Sequence, residues 1–282
     1  MTEVDADHDL LAGRAVIVTG AGRGLGEGFA RACAACGAQV IVNDIDLTEA
    51  EGVAESIRGS GAAAIASGHS VADAGQAREL ADLCIERFGR IDGLINNAGI
   101  FYKREIWEEE PDQARRLIEV NLLGALHCSA AVVPRMREAG RGSIINLSSV
   151  AAFGLAGRGA YSATKAALLS LTYTWALELK ADGVRVNALA PRATTRLTPP
   201  SMGEVGDVAP VAVFLLSDLS AHLTGQCIRA AELDVAWTLP ARLAATTSRR
   251  TPGVRGVAEA LTIAEPGPQP FGWLTLQKAD RP

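Results

Sequence analysis

The chain reads as an α/β protein, a doubly wound, mainly parallel sheet of seven strands with helices on both faces. Three observations carry this reading. Short apolar runs alternate with longer stretches of helical period. The first apolar run passes at once into a glycine-rich turn that opens a helical pattern. Finally, 282 residues at 48% hydrophobic and 21% charged suffice for one substantial core. Parallel strands need long crossovers, and helical crossovers cover both faces of the sheet.

The strands are expected at 15–19, 39–43, 63–66, 93–96, 143–147, 185–190 and 226–228. Helices are expected between them at 25–36, 48–58, 74–88, 112–138, 161–181 and 208–216. Turn clusters such as Gly59-Ser60-Gly61 fall between elements, and the composition does not shift until about Pro240. The organisation expected is therefore a polar tail at 1–10, a single domain at 11–239 and a C-terminal extension at 240–282. That extension, rich in Pro, Gly, Thr and Arg, is expected to pack over a neighbouring subunit or to be partly disordered.

Charge and composition exclude several functions. A net charge of −5 and a pI near 5.5 provide no electrostatic footprint for nucleic acid, and no basic amphipathic helix points to a membrane surface. The acidic start MTEVDADHDL lacks the pattern of a signal peptide, and no uncharged apolar run long enough to span a bilayer is evident. A cytoplasmic protein with a small-molecule ligand is expected. The cysteines Cys33, Cys36, Cys84, Cys128 and Cys227 form an odd set in apolar stretches, as reduced core thiols do. Cys33 and Cys36 lie well inside a helical pattern rather than at its start, which favours packing over redox work. His8, His69, His127 and His222 stand singly, so no metal site is expected.

The first strand ends in Thr19-Gly20-Ala21-Gly22-Arg23-Gly24-Leu25-Gly26. Glycines there let the chain turn sharply, admit a pyrophosphate to the backbone and pack the following helix closely on the sheet. The helix start adds free amides and a positive dipole end. Gly20, Arg23, Gly24, Leu25 and Gly26 are thus candidate cofactor contacts. Asp44 follows the second strand, and a carboxylate there accepts ribose hydroxyls and repels a 2′-phosphate, favouring NAD over NADP. Arg23 pulls the other way, since a guanidinium in the glycine turn suits that phosphate. Asp44 as a plain residue of a helix start is the bland alternative.

The fourth strand runs into Asn96-Asn97-Ala98-Gly99, where small side chains let the backbone lie against a ribose, although a plain turn uses the same residues. Asn121 sits inside a helical pattern, where asparagine is a poor helix former; it is either a surface or kink residue or one whose amide holds an ordered water near Lys165. The fifth strand ends in Asn146-Leu147-Ser148-Ser149, at the carboxyl edge where open α/β sheets bind ligands. Tyr161 and Lys165 stand four residues apart and share a helix face. A cation beside a tyrosine favours the phenolate and makes the phenol a usable acid and base.

In this order and spacing, Thr19 to Gly26, Asn96 to Gly99, Asn121, Ser149, Tyr161 and Lys165 resemble the short-chain dehydrogenase/reductase family. The resemblance covers about residues 11 to 230. It implies a Rossmann-like fold, a nicotinamide cofactor and a catalytic tetrad. Tyr161 would be the general acid or base, Lys165 would lower its pKa and bind the nicotinamide ribose, Ser149 would polarise the substrate carbonyl, and Asn121 would anchor a proton-relay water. Asn97, Ala98 and Gly99 would line the cofactor, and the long helices would make a homodimer or homotetramer, with Leu168, Leu171 and Trp175 in core or interface.

The departures from the family pattern matter too. A spacing of 13 to the tyrosine selects Ser148, whereas the strand motif selects Ser149. Ser149 is preferred, because strand register decides which side chain faces the site while the loop after it loses a residue at little cost. Ser70-Val71 replaces the usual aspartate and valine after the third strand, so Ser70 and Val71 would meet the adenine. Pro191-Arg192 replaces the usual Pro-Gly, and the run to Asp207 is short. Pro191 and Thr194 would border the cofactor, and Arg192 or Arg196 would meet an anionic group or remain solvated. The short run is similar to the hydroxyacyl-CoA dehydrogenase units of multifunctional fatty-acid oxidation enzymes and implies an open site for a bulky acyl-CoA, steroid or polyketide. An NAD-assisted dehydratase or epimerase and a non-catalytic NAD-binding regulator or scaffold are the alternatives.

Overall fold

A computed structural model describes residues 8–193 and 204–239. One eight-stranded sheet runs in the order β3-β2-β1-β4-β5-β6-β7-β8. The strands are β1 (Ala15–Thr19), β2 (Gln39–Asn43), β3 (Ala64–Ser67), β4 (Gly93–Asn96), β5 (Gly142–Leu147), β6 (Val184–Arg192), β7 (Cys227–Ala231) and β8 (Asp234–Trp237). Strands β1 to β7 pair in parallel, and β8 pairs antiparallel with β7. The expected seven strands thus become eight. β8 escaped the sequence reading because all four of its residues are exposed and show no buried face; pairing with β7 holds it. β7 reaches to Ala231, past Arg229, which interrupts the apolar run in sequence.

Alternate residues of the strands serve the two faces, as the pleat requires. Val16 and Val18 of β1, Val40 and Val42 of β2 and Ile145 of β5 pack with one set of helices: α1 (Gly24–Ala35), α2 (Leu47–Gly59) and α7 (Val205–Leu216). Ala15, Ile17, Ile41 and Ile144 meet α3 (Ala74–Phe88), α5 (Gly124–Ala139) and the end of α6 (Gly159–Leu179) on the other face. Phe29 of α1 is fully buried in the first layer, and side chains of this size contribute about 1.5–3 kcal/mol each when withdrawn from water. Leu168 of α6 belongs to the core, and Trp175 packs against the second layer.

Local chemistry sets the helix ends. The Asp46 carboxylate accepts from the Glu49 N–H at the start of α2, and Asp73 accepts from Gln76 at the start of α3. Gly89 closes α3 in the left-handed conformation, φ 73°. The long helix expected at 112–138 is instead α4 (Pro111–Ile118), a π turn at Glu119–Leu123, and α5. Asn121 lies within that turn, where an extra residue distorts the helical ladder. The stretch Pro111–Ala139 is long and apolar enough, by length and composition alone, to cross a membrane, a test that the core helix of a globular domain also passes. Its buried residues Cys128, Val132 and Met136 pack in the core beneath the sheet.

Candidate active site

Strand order reverses between β1 and β4, and the carboxyl ends of β1, β2, β4, β5 and β6 converge on one edge. Such an edge is where open α/β sheets hold ligands. Gly20 turns the chain at φ +62°, and a Cβ on it would lie 2.8 Å from the Ala98 Cα. A Cβ on Gly26 would lie 2.1 Å from the Gly20 carbonyl oxygen, so α1 approaches the turn only because this residue is glycine. Arg23 precedes α1 with no side-chain cap, leaving the first-turn amides of Gly24, Leu25 and Gly26 without a side-chain acceptor from the cap. The Arg23 side chain itself is exposed. This cradle fits the diphosphate of a dinucleotide.

Asp44, 7% exposed at the end of β2, accepts from the Gly22 N–H at 3.0 Å and from the Asp46 N–H at 3.1 Å. The capping residue of α2 is Asp46, so Asp44 instead ties the second strand to the glycine turn. Asn97 also acts on that turn. Its amide donates to the carbonyls of Thr19 and Gly20 at 2.9 Å each, while the Thr19 hydroxyl accepts from the N–H groups of Asn97 and Ala98 at 3.1 Å. The Asn97 side chain is therefore committed to holding β4 and the turn together, and what it offers a cofactor is its backbone. Ser70 is half-buried, with its N–H on Gln76, and Val71 packs against Gly124, where a Cβ would come within 2.8 Å. Pro191 lies within β6 beside the same edge. Thr194 and Arg196 lie outside the described residues, as do most of the short run before Asp207 and the C-terminal extension.

The Tyr161–Lys165 pair occupies the first turns of α6, with the ammonium 5.5 Å from the phenol ring centroid. Lys165 is buried, and its Nζ donates to the Leu147 carbonyl at 2.7 Å. Burial lowers its pKa to about 8. Burial also raises the Tyr161 pKa, against a hydrogen bond from Ser149 and the charge of Arg158, both of which lower it. The adjacent serines separate cleanly. Ser148 is buried and donates to the Lys165 carbonyl at 2.9 Å, whereas the Ser149 hydroxyl lies against Tyr161 and also accepts from the Ala151 N–H at 3.1 Å.

Asn121 differs from the sequence reading. Its amide oxygen accepts from the Ile100 N–H at 2.7 Å, and its amide nitrogen donates to the Ile100 carbonyl at 2.9 Å. The amide expected to hold a water instead clamps the segment after β4. The neighbouring Asn96 and Asn146 join in the core, with the Asn96 amide donating to Asn146 at 2.9 Å.

Two residues at the site were missed in the sequence. Phe101 sets its ring edge-on to Tyr161, 5.1 Å between centroids at 82°, and Arg158 lays its guanidinium 5.0 Å above the Phe101 ring. Arg158 stands three positions before Tyr161, on the turn entering α6, and that position was its only sequence signal.

The family model for short chain dehydrogenases matches residues 14–202. The 3-oxoacyl-[acyl-carrier-protein] reductase FabG of Thermotoga maritima is 33% identical over 236 residues, covering 77% of this chain and 96% of the relative. The L-rhamnose 1-dehydrogenase (NAD(P)(+)) of Azotobacter vinelandii is 36% identical over 241 residues, 77% of this chain and 94% of the relative. A short chain dehydrogenase from Mycobacterium avium superposes with a TM-score of 0.84 at 34% identity, covering 93% of this chain and 99% of that one. A gluconate 5-dehydrogenase from Burkholderia cenocepacia J2315, solved with NADP and tartrate, superposes at 0.75 with 32% identity, over 80% and 96% of the two chains. With a glycine cradle at the strand edge and a tyrosine and a lysine on one helix face above it, the chain belongs to the short-chain dehydrogenase family, oxidoreductases acting on CH–OH groups.

Proposed function

We propose that this enzyme interconverts a secondary alcohol and a ketone with NAD(H), on a bulky substrate of the hydroxyacyl-CoA, steroid or polyketide kind. The observation that carries the reading is the contact of Ser149 with Tyr161, beside the buried Lys165 ammonium. In reduction the phenol gives its proton to the carbonyl oxygen; in oxidation the phenolate takes the hydroxyl proton. Ser149 orients that oxygen through its own O–H. Lys165 keeps a positive charge near the phenolate, held in place by the Leu147 carbonyl. Asn121 is a positioning residue, fixing the π turn against Ile100, so that the anchor offered to a relay water is the main chain of the turn. The nicotinamide, when bound, gives or takes the hydride.

Gly20, Gly24, Leu25 and Gly26 would hold the cofactor diphosphate, and Asp44 the adenosine ribose. Asp44 supports NAD because a buried carboxylate at the end of β2 repels a 2′-phosphate. The relatives named for NAD(P)(+) and solved with NADP support the nicotinamide class without separating its two forms. Ser70, Val71, Ala98, Gly99 and Pro191 would complete the lining, with Asn97 acting through its backbone. We place the enzyme in the cytoplasm as a homo-oligomer; the exposed Leu177 of α6 supports a subunit contact there.

A screen of ketones and secondary alcohols, following NADH absorbance, tests the reaction. Tyr161→Phe should reduce kcat by roughly a thousandfold and leave the NADH Kd nearly unchanged. Normal turnover by the variant rejects the mechanism, and NADH binding without turnover of any substrate by the parent favours a regulator.

A further inference from the structure

A cleft of about 670 Å³ opens at the other edge of the sheet, where β1, β5 and β6 begin. Arg14, Arg90, Arg141, Lys180 and Arg185 line it against only two acids, Asp92 and Asp218. That is an excess of three positive charges in one cleft of a chain whose net charge is −5. Both acids are already matched. Asp92 is buried, with each oxygen 2.6 Å from the Arg90 guanidinium and one also on the Ala15 N–H at 2.9 Å. Asp218 takes Arg14 at 2.6 Å.

The rest of the positive charge is surplus. Arg141 reaches Asp92 at 3.4 Å, a second cation on an acid already held by the first. Lys180 has no carboxylate within ion-pair distance among the described residues. Arg185 donates to the carbonyls of Leu215, Ser217 and Leu223 at 2.8, 3.2 and 3.3 Å. Carbonyls orient a guanidinium but leave its charge in place, and burial with the neighbouring Arg14 pushes the Arg185 pKa down. A recess walled by one sign of charge focuses its field on whatever enters. We infer that this cleft is a second ligand site, for a compact phosphorylated small molecule, separate from the cofactor edge. Its volume suits a ligand of nucleotide size, three surplus cations match the charge of one or two phosphate groups, and guanidinium forks pair with phosphate oxygens.

Inorganic pyrophosphate is the probe. At constant ionic strength, thermal melts of the full chain should show a saturable rise in Tm, roughly 5 °C at about a hundredfold excess over Kd. The rise should persist with saturating NADH and vanish in the double variant Arg141→Gln/Lys180→Gln, whose side chains are exposed and lie outside the Arg90–Asp92 and Arg14–Asp218 pairs. Lys180→Glu alone should weaken the apparent affinity at least tenfold. An unsaturable rise equal to that from chloride, an unchanged rise in the double variant, or loss of the rise on adding NADH overturns the inference; the last would put pyrophosphate in the glycine turn.

Discussion

The Lys165 ammonium donates to the main-chain carbonyl of Leu147 at 2.7 Å, tying α6 to the carboxyl end of β5. The bond places the cation beneath the phenol and takes it out of water. Burial lowers its pKa from an ordinary 10.5 to about 8, so between those values the unfolded chain carries a proton that the folded chain has released. Through this group, stability of the ligand-free chain rises with pH from 8 to 10.5 and is flat below. Buried thiols oppose it, since Cys84 and Cys128 are raised from 9 to about 12 and their contribution is lost as pH climbs through that range. Urea melts of the parent and Lys165→Met isolate the lysine: their stability difference should grow in the parent's favour from pH 8 to 10. A constant difference rejects a desolvated ammonium.

The two serines make opposite predictions. Ser149→Ala removes a hydroxyl that touches Tyr161 and should lower kcat by roughly a hundredfold or more with little change in Tm. Ser148→Ala removes a buried donor to the Lys165 carbonyl and should cost about 1–2 kcal/mol of stability while retaining most of kcat. Kinetics and melts on both variants check the assignment, and the reverse pattern would make Ser148 the catalytic serine.

Cofactor choice turns on Asp44. Because its oxygens accept the Gly22 and Asp46 N–H groups, Asp44→Ala would leave two donors unpaired and confound binding with folding. Asp44→Asn keeps an acceptor and removes the charge. The parent should bind NADH at least tenfold more tightly than NADPH, and Asp44→Asn should narrow that gap; equal affinities in the parent reject the NAD preference.

Arg158 sits over Phe101, whose ring meets Tyr161, and its charge lowers the phenol pKa. Arg158→Gln should therefore move the Tyr161 pKa read from kcat/KM against pH upward, and Arg158→Lys should restore much of the difference. An unmoved profile in Arg158→Gln would limit Arg158 to packing on the ring.

What the sequence determined by itself was whatever depends on local spacing. Alternating apolar runs place the strands and helices, a glycine run after a strand makes a cradle, and four residues put Tyr161 and Lys165 on one face, because pleat and helix repeat in few residues. The tertiary structure decided what depends on how elements meet. Ser148 and Ser149 are neighbours in sequence, but only the docking of α6 on β5 turns one to a carbonyl and the other to the phenol. Asn121 and Asn97 showed their residue type in sequence, while their partners, Ile100 and the Thr19–Gly20 carbonyls, lie on other segments. β8 exists by pairing rather than by burial, and the amino-edge cleft gathers five cations that lie far apart in sequence, from Arg14 to Arg185. Hydrogen bonds and charge clusters form across contacts distant in sequence, so no local pattern records them.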